Sequence, residues 1–380
     1  MANKQLVCLL FKYLKQEVHY FCDFHDIIDD ILFMSIVRSF LIGFLLLAVY
    51  GLSGQDAQFY QAFASPLTLN PATTGMVPGN YRISSIYRDQ WRAVVDQPIS
   101  TFSLSADSRF KISKKRENKD FIGVGIHFLS DQVGFISYTT NQLGISLAYH
   151  KSLNDKLKQF LSFGAQFGIT QRNINYENLN FEDEFNGVAA YTDPTGETFA
   201  PNNFGYADFS LGLNYQIQPF DGFSVYAGAA LSHVNAPNIV FDKDDQNLPV
   251  SSLYRKILIY TGLSYELKQQ WIIKPKANYI SQGPHQQLVI GAHLSKEMTD
   301  KYSESIEFGL ATRVVDDFDG IGPESLIASF GVDLKGKVVG FSYEFNIQTV
   351  NNNFRNQGVF ELSFTYIGEY DNETFFCPEF

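Results

Sequence analysis

From residue 80 to residue 366 the chain repeats one pattern. Runs of about ten residues carry a large apolar side chain at every second position and a small or polar one between. In Phe160–Thr170 one face reads Leu161, Phe163, Ala165, Phe167, Ile169, and the other Ser162, Gly164, Gln166, Gly168, Thr170. Val338–Asn346 sets Val339, Phe341, Tyr343 and Phe345 against Gly340, Ser342, Glu344 and Asn346. Period two is the mark of a strand whose two faces meet different surroundings. Fourteen such strands are predicted: Asn80–Tyr87, Ile99–Asp107, Phe121–Leu129, Gln142–His150, Phe160–Thr170, Tyr206–Tyr215, Gly222–Ser232, Lys256–Tyr265, Trp271–Ile280, Gln287–Leu294, Ser305–Arg313, Ser325–Leu334, Val338–Asn346 and Gly358–Tyr366. Pro275 lies inside one of them, and proline cannot donate to the ladder, so a bulge is expected there.

A soluble sandwich alternates too, and composition separates the two cases. Aromatic residues make up 15% of the 380 and charged residues 18%, against about 25% charged in a typical soluble domain. Mean hydropathy is only -0.10, which excludes a bundle of transmembrane helices. A chain with an aromatic surface but modest hydropathy fits an all-β transmembrane antiparallel up-and-down β-barrel, about 14 strands, because only alternate residues need face lipid. The sheet must close, since an open edge in hydrocarbon leaves backbone groups unpaired.

The connections alternate in length. Lys151–Gln159, Gln216–Asp221, Glu266–Gln270, Ser295–Glu304 and Lys335–Lys337 are short and Lys-bearing. Gln171–Gly205, His233–Arg255, Val314–Glu324 and Ile347–Gln357 are long and often acidic. Outer-membrane barrels have short periplasmic turns and long external loops, so the short set is expected in the periplasm, with both termini. Ser108–Asp120 is an unusually basic turn on that side, read as solvated or as docking an acidic periplasmic partner.

Ahead of the strands, Arg38 precedes an apolar run from Phe40 to Tyr50 and then Gly51, Ser53 and Gly54. That is the order of a secretory signal peptide, expected over 34–54 with cleavage near Ser53 or Gly54. Residues 1–33 are expected to be an over-called extension with Met34 as the true start, 55–79 a periplasmic or plug-like segment, 80–366 the barrel, and 367–380 a periplasmic tail.

Charge and chemistry narrow the function. The net charge of -11 argues against nucleic acid, which needs clustered Lys and Arg. Cys8 and Cys22 precede the signal, so the mature chain keeps Cys377 alone and builds no disulfide framework. His127, His150, His233, His285 and His293 are scattered without metal-ligand spacing and read as lumen or interface residues. The acidic groups Glu182-Asp183-Glu184, Asp242, Asp244, Asp245 and Asp316-Asp317-Phe318-Asp319-Gly320 lack the later ligands of a calcium loop and read as solvated loop acids, with weak calcium sites as the minor reading. No catalytic grouping and no cofactor are expected.

Three motifs then acquire a meaning together. The first is Gln55, Asp56, Gln58, Phe59 and Gln61; the second Asn70, Pro71, Ala72 and Gly75; the third Arg88, Gln90 and Trp91. With Gly123-Val124-Gly125, Asp131, Gly134, Pro275, the end Gly358-Val359-Phe360-Glu361-Leu362-Ser363 and Cys377-Pro378-Glu379-Phe380, they resemble the PorP/SprF family of type IX secretion system outer-membrane proteins of Bacteroidetes. Ala57 stands where the family commonly has proline. The resemblance implies a non-enzymatic barrel of the secretion and gliding machinery. Its implied partners are outer-membrane lipid, an adhesin-like exported cargo protein and the periplasmic lipoprotein ring. It implies structural or partner-contacting roles for Gln55, Asp56, Gln58, Phe59, Asn70, Pro71, Ala72, Gly75, Arg88, Gln90 and Trp91. The alternative is an outer-membrane transporter or porin for a hydrophobic or small solute, with Gln55–Met76 as a lumen plug.

Overall fold

The computed structural model describes residues 56–369, except 62, 63, 94, 113–118, 135, 136, 155–157, 177, 178, 189, 192, 193, 197, 198, 200, 242–250, 299–303, 318, 319 and 348–357. The expected extension, signal peptide, Gln55, Asp242, Asp244, Asp245 and the Cys-Pro-x-Phe tail lie outside the described residues, as do Lys114, Lys115 and Arg116 of the basic turn.

Fourteen strands form one closed antiparallel barrel. They are β1 Tyr81–Gln90, β2 Ile99–Lys111, β3 Phe121–Val133, β4 Tyr138–Asn154, β5 Gln159–Ile174, β6 Asn203–Phe220 and β7 Phe223–Ser232. The circuit continues through β8 Lys256–Glu266, β9 Trp271–Gln282, β10 His285–Glu297, β11 Glu304–Asp317, β12 Gly320–Leu334, β13 Lys337–Asn346 and β14 Val359–Gly368. Each strand pairs with its sequence neighbours, and β1 closes on β14 from Tyr81↔Gly368 to Gln90↔Val359. Closure leaves no edge to be satisfied by lipid. No helix among the described residues is long and apolar enough to cross a membrane.

The alternation decides which side chains line the barrel. On β4, Leu143, Ile145 and Leu147 are more than half exposed on the outer wall, while Ser146, Ala148 and His150 are buried inside. On β5, Phe163, Phe167 and Ile169 face out and Ser162 and Thr170 face in. The core of this protein is therefore polar and lies in the lumen, and its apolar surface is the outer belt. That inversion is what a hydrocarbon solvent imposes.

Two expectations are corrected. Pro275 sits in an unshifted register with Ala292 of β10, so there is no bulge. Instead the β8–β9 ladder lapses between Gly262↔Lys276 and Tyr265↔Ile273 and resumes in the same register. A missing donor needs only an unmade bond, which costs less local distortion than an inserted residue. Val314–Glu324 is not a long loop: β11 and β12 continue through it, pairing Val314 with Pro323 and Asp317 with Gly320 after a register shift at Arg313/Val314.

The segment from Asp56 to Asn80 does not lie below the barrel. It runs through the lumen. Asp56 contacts residues at the long-loop ends of β7, β8 and β9, and Asn80 donates its N–H to Gly368 at the short-turn end. The start of β1 and the end of β14 share the short-turn end, as expected, but Asp56 sits at the opposite mouth.

Candidate functional site

The lumen segment has two parts with different attachments. The inner part, Ala64 to Val77, contains a single helical turn, α1 (Pro66–Leu69), followed by a 3-10 turn at Pro71–Thr73. Proline at the first position of each turn costs no hydrogen bond there and presets the backbone. Asn70 caps the second turn by accepting from the Ala72 N–H at 2.8 Å. Its amide nitrogen donates across the lumen to the Leu213 carbonyl at 2.9 Å and the Tyr260 hydroxyl at 3.0 Å. Tyr260 in turn donates to Asn214 at 2.8 Å.

This part fits because the wall opposite it lacks side chains. A Cβ on Gly212 would stand 1.9 Å from Asn70 Oδ1, and one on Gly123 would stand 1.9 Å from the Thr74 carbonyl oxygen. Gly75 takes a φ of +77°, a conformation glycine adopts without steric cost. Its N–H donates to Asp107 at 2.7 Å, and Arg82 clasps the same carboxylate with two bonds of 2.9 Å. His150 links the Thr74 carbonyl at 2.8 Å to Ser162 at 2.7 Å.

The outer part, Asp56 to Gln61, is an arm held by polar bonds. The Tyr60 and Gln61 N–H groups both donate to the Glu361 carboxylate, at 2.9 and 3.0 Å. The Gln61 amide donates to Ser342 at 3.0 Å and accepts from Ser363 at 2.7 Å. Tyr60 bonds His293 at 2.9 Å, and His293 bonds Glu307, which Lys274 also reaches at 2.8 Å. This hydroxyl–imidazole–carboxylate line resembles an activated nucleophile in outline. Here the hydroxyl is buried beneath Lys276, whose ammonium lies 4.9 Å from the Tyr60 ring centre, and it does not line the cavity described next.

Asp56 ends the arm in a charged clasp. Its carboxylate meets His233 at 2.7 Å and Lys256 at 2.6 Å, and the other nitrogen of His233 meets Asp208 at 2.9 Å. Burial alone would raise the Asp56 pKa, but the neighbouring Lys256 and His233 hold it well below the usual carboxylate value. Burial likewise pushes His233 down, and the two carboxylates overcome it, raising its pKa to about 9.

Above the arm the lumen opens as a cavity of about 510 Å³ at the long-loop mouth. Asp56 and Gln58 from the first motif and Arg88, Gln90 and Trp91 from the third all line it. Arg88 lies 3.8 Å from Glu361, and Arg313 makes two bonds of 2.8 and 2.9 Å with Glu344. Residues of the second motif, Asn70, Pro71, Ala72 and Gly75, gather instead in the inner part. Phe59 is half-buried within the arm.

The first and third motifs therefore meet in space while the second stands apart, and the partners of all three were the part sequence reasoning missed. Asp107, Tyr260, Glu307 and Glu361 were not singled out as partners. The histidines were read as lumen or interface residues, and His127, His150 and His293 are buried inside, but the bonding partners of His150 and His293 were not foreseen. The available signal was their place on the inward, polar face of a strand. Among the described residues no cluster of three or more His, Cys, Asp or Glu side chains is set to hold a metal ion. Asp183 of the acidic loop accepts from the Thr195 hydroxyl at 3.0 Å and the Gly196 N–H at 2.7 Å.

A closed fourteen-stranded barrel with an apolar outer belt and a threaded lumen defines an integral β-barrel membrane protein. The model of the family described as type IX secretion system membrane protein PorP/SprF matches residues 52–366, and the chain belongs to that family. Barrel and family together point to the outer membrane. No curated protein sequence matches the chain. Among solved structures it is similar to the Ralstonia pickettii toluene transporter TbuX at 11% identity, covering 83% of this chain and 96% of that one, with a TM-score of 0.45. Similar too are the Pseudomonas putida toluene transporter TodX (11%, 82% and 94%, 0.43) and BamA from Haemophilus ducreyi (11%, 76% and 70%, 0.41). At that level they carry no argument about what this chain does.

Proposed function

We propose that this protein is a non-enzymatic component of the type IX machinery that supports export or surface attachment of particular exported proteins, adhesin-like in kind. The long-loop mouth engages the cargo, and the short turns contact the periplasmic lipoprotein ring. One observation carries the reading: the family match runs over residues 52–366, from the arm into β14, and includes the residues that line the mouth. Cleavage of the signal peptide near Ser53 or Gly54, which delivers the chain to the envelope, is part of the same proposal. The lumen segment is also the plug that the transporter alternative expects, but its close packing at Gly123 and Gly212 means that solute could pass only after the inner part is displaced. Flux through liposomes that rises when residues 55–76 are removed would favour that alternative. Deleting the gene and comparing the surface proteome tests the role. Loss of one or a few large surface proteins is expected, and an unchanged surface with normal gliding refutes it.

A further inference from the structure

The cavity at the long-loop mouth is large enough for a ligand, and its walls say which kind. Ligand pockets commonly run to several hundred cubic ångströms and are mostly apolar. This one, of about 510 Å³, mixes the amides of Gln58, Gln90, Gln282 and Gln287 with apolar side chains such as Ile99, Val133 and Val315. Such a surface suits a hydrocarbon poorly, because entry of an apolar solute strips water from amides without replacing its hydrogen bonds. It suits a ligand that carries its own donors and acceptors.

The protein itself shows which such ligand these walls accept. Gln282 lines the cavity, and its carbonyl oxygen accepts the backbone N–H of Asp56 at 3.1 Å. Gln287 lines it too, and its amide donates to Gln58 while accepting from Arg313 at 2.9 Å. Further along, Glu361 takes two successive backbone N–H groups of the arm. Wall side chains thus hold three main-chain N–H groups of the arm, those of Asp56, Tyr60 and Gln61, and the cavity lies directly beside Asp56, Ala57 and Gln58. Five lining carboxylates, those of Asp56, Asp131, Asp316, Glu324 and Glu344, face two lining guanidiniums, Arg88 and Arg313. Arg88 faces Glu361, Arg313 holds Glu344 and lies 3.7 Å from Glu324, and Asp56 is engaged by Lys256 and His233, so the negative excess at the mouth rests on Asp131 and Asp316.

We infer that this cavity is a binding site for an extended polypeptide segment carrying basic side chains, presented from the long-loop side. The arm forms its floor, and main-chain hydrogen bonds to the wall amides supply affinity while the carboxylates select for lysine or arginine. The inference rests on the export reading only for the source of the segment, an exported protein.

The test uses the full-length mature protein in detergent and a fluorescein-labelled hexapeptide of alternating lysine and glutamine. Saturable binding by fluorescence anisotropy is expected, weakening as salt rises. A counterpart with glutamate in place of lysine is expected to bind at least tenfold more weakly. Gln90→Leu combined with Asp316→Asn is expected to weaken the lysine peptide at least tenfold. Heat-modifiable gel mobility checks that the variant barrel is folded, and the single Asp316→Asn gives a second, milder arm of the same test. Absence of saturable binding, equal binding of both peptides, or unchanged binding by both variants overturns the inference. Binding of maltotriose in the peptide's place overturns it in favour of a glycan site. A negative peptide result together with lost cargo on gene deletion removes this inference and leaves the export role standing.

Discussion

Raising the pH is expected to loosen the outer arm while the barrel stays folded. His233 lies just past the end of β7 between the Asp56 and Asp208 carboxylates, and its pKa is raised from 6.5 to about 9. A raised pKa means stabilisation that is complete below 6.5 and lost as the pH climbs through about 9. The shift of 9 − 6.5 units, at about 1.36 kcal/mol per unit, is worth roughly 3 kcal/mol. Asp208 stays with His233 when the arm leaves, so about half, ~1–2 kcal/mol, belongs to Asp56. Between about pH 6 and about pH 10 the docked fraction should therefore fall about tenfold relative to the undocked one. The opposite limb lies in acid: the Asp56 pKa is lowered from 3.8, so its contribution persists above that value and is lost as pH falls through the depressed one. The assay is an environment-sensitive fluorophore on Ala57→Cys in a Cys377→Ser background, read by iodide quenching across this range. His233→Gln supplies the control, with a flat profile and a constantly looser arm. Matching profiles in the two proteins would show that the clasp does not hold the arm and would refute the reasoning.

Three further outcomes follow from the lumen and the belt. Glu361→Leu leaves two buried backbone donors, those of Tyr60 and Gln61, unmet. At ~1–3 kcal/mol each the loss should be about 2–6 kcal/mol in urea unfolding, and a change within about 0.5 kcal/mol would contradict it. Gly212→Ala drives a methyl to within 1.9 Å of Asn70 Oδ1, for an overpacking cost of ~1–3 kcal/mol; faster proteolysis of the inner segment is the readout, and an unchanged digest argues against the packing described. Ile145→Arg puts a charge on the belt, where Ile145 is 57% exposed; a cost of ~2–4 kcal/mol is expected in bilayers, and no cost would mean that this wall faces water.

The number of strands, the wall that faces lipid and the inward placement of polar residues were legible in the sequence. Each depends on period two, which is local: a residue's neighbours two positions away decide its face whatever the rest of the chain does. The motifs at Asn70–Gly75 and Arg88–Trp91 were visible only through the resemblance to the PorP/SprF pattern. Their meaning was not, because it lies in contacts between distant residues. Gln61 meets Glu361 across 300 positions and Asp56 meets Lys256 across 200, and nothing local selects those partners from the many polar side chains on inward faces. Ring closure does so, by fixing every strand's register against the next and thereby bringing particular inward side chains around one axis. Pro275 shows the same division: the proline announced an interrupted ladder, and only the pairing on both sides decided that the interruption is an unmade bond without a bulge.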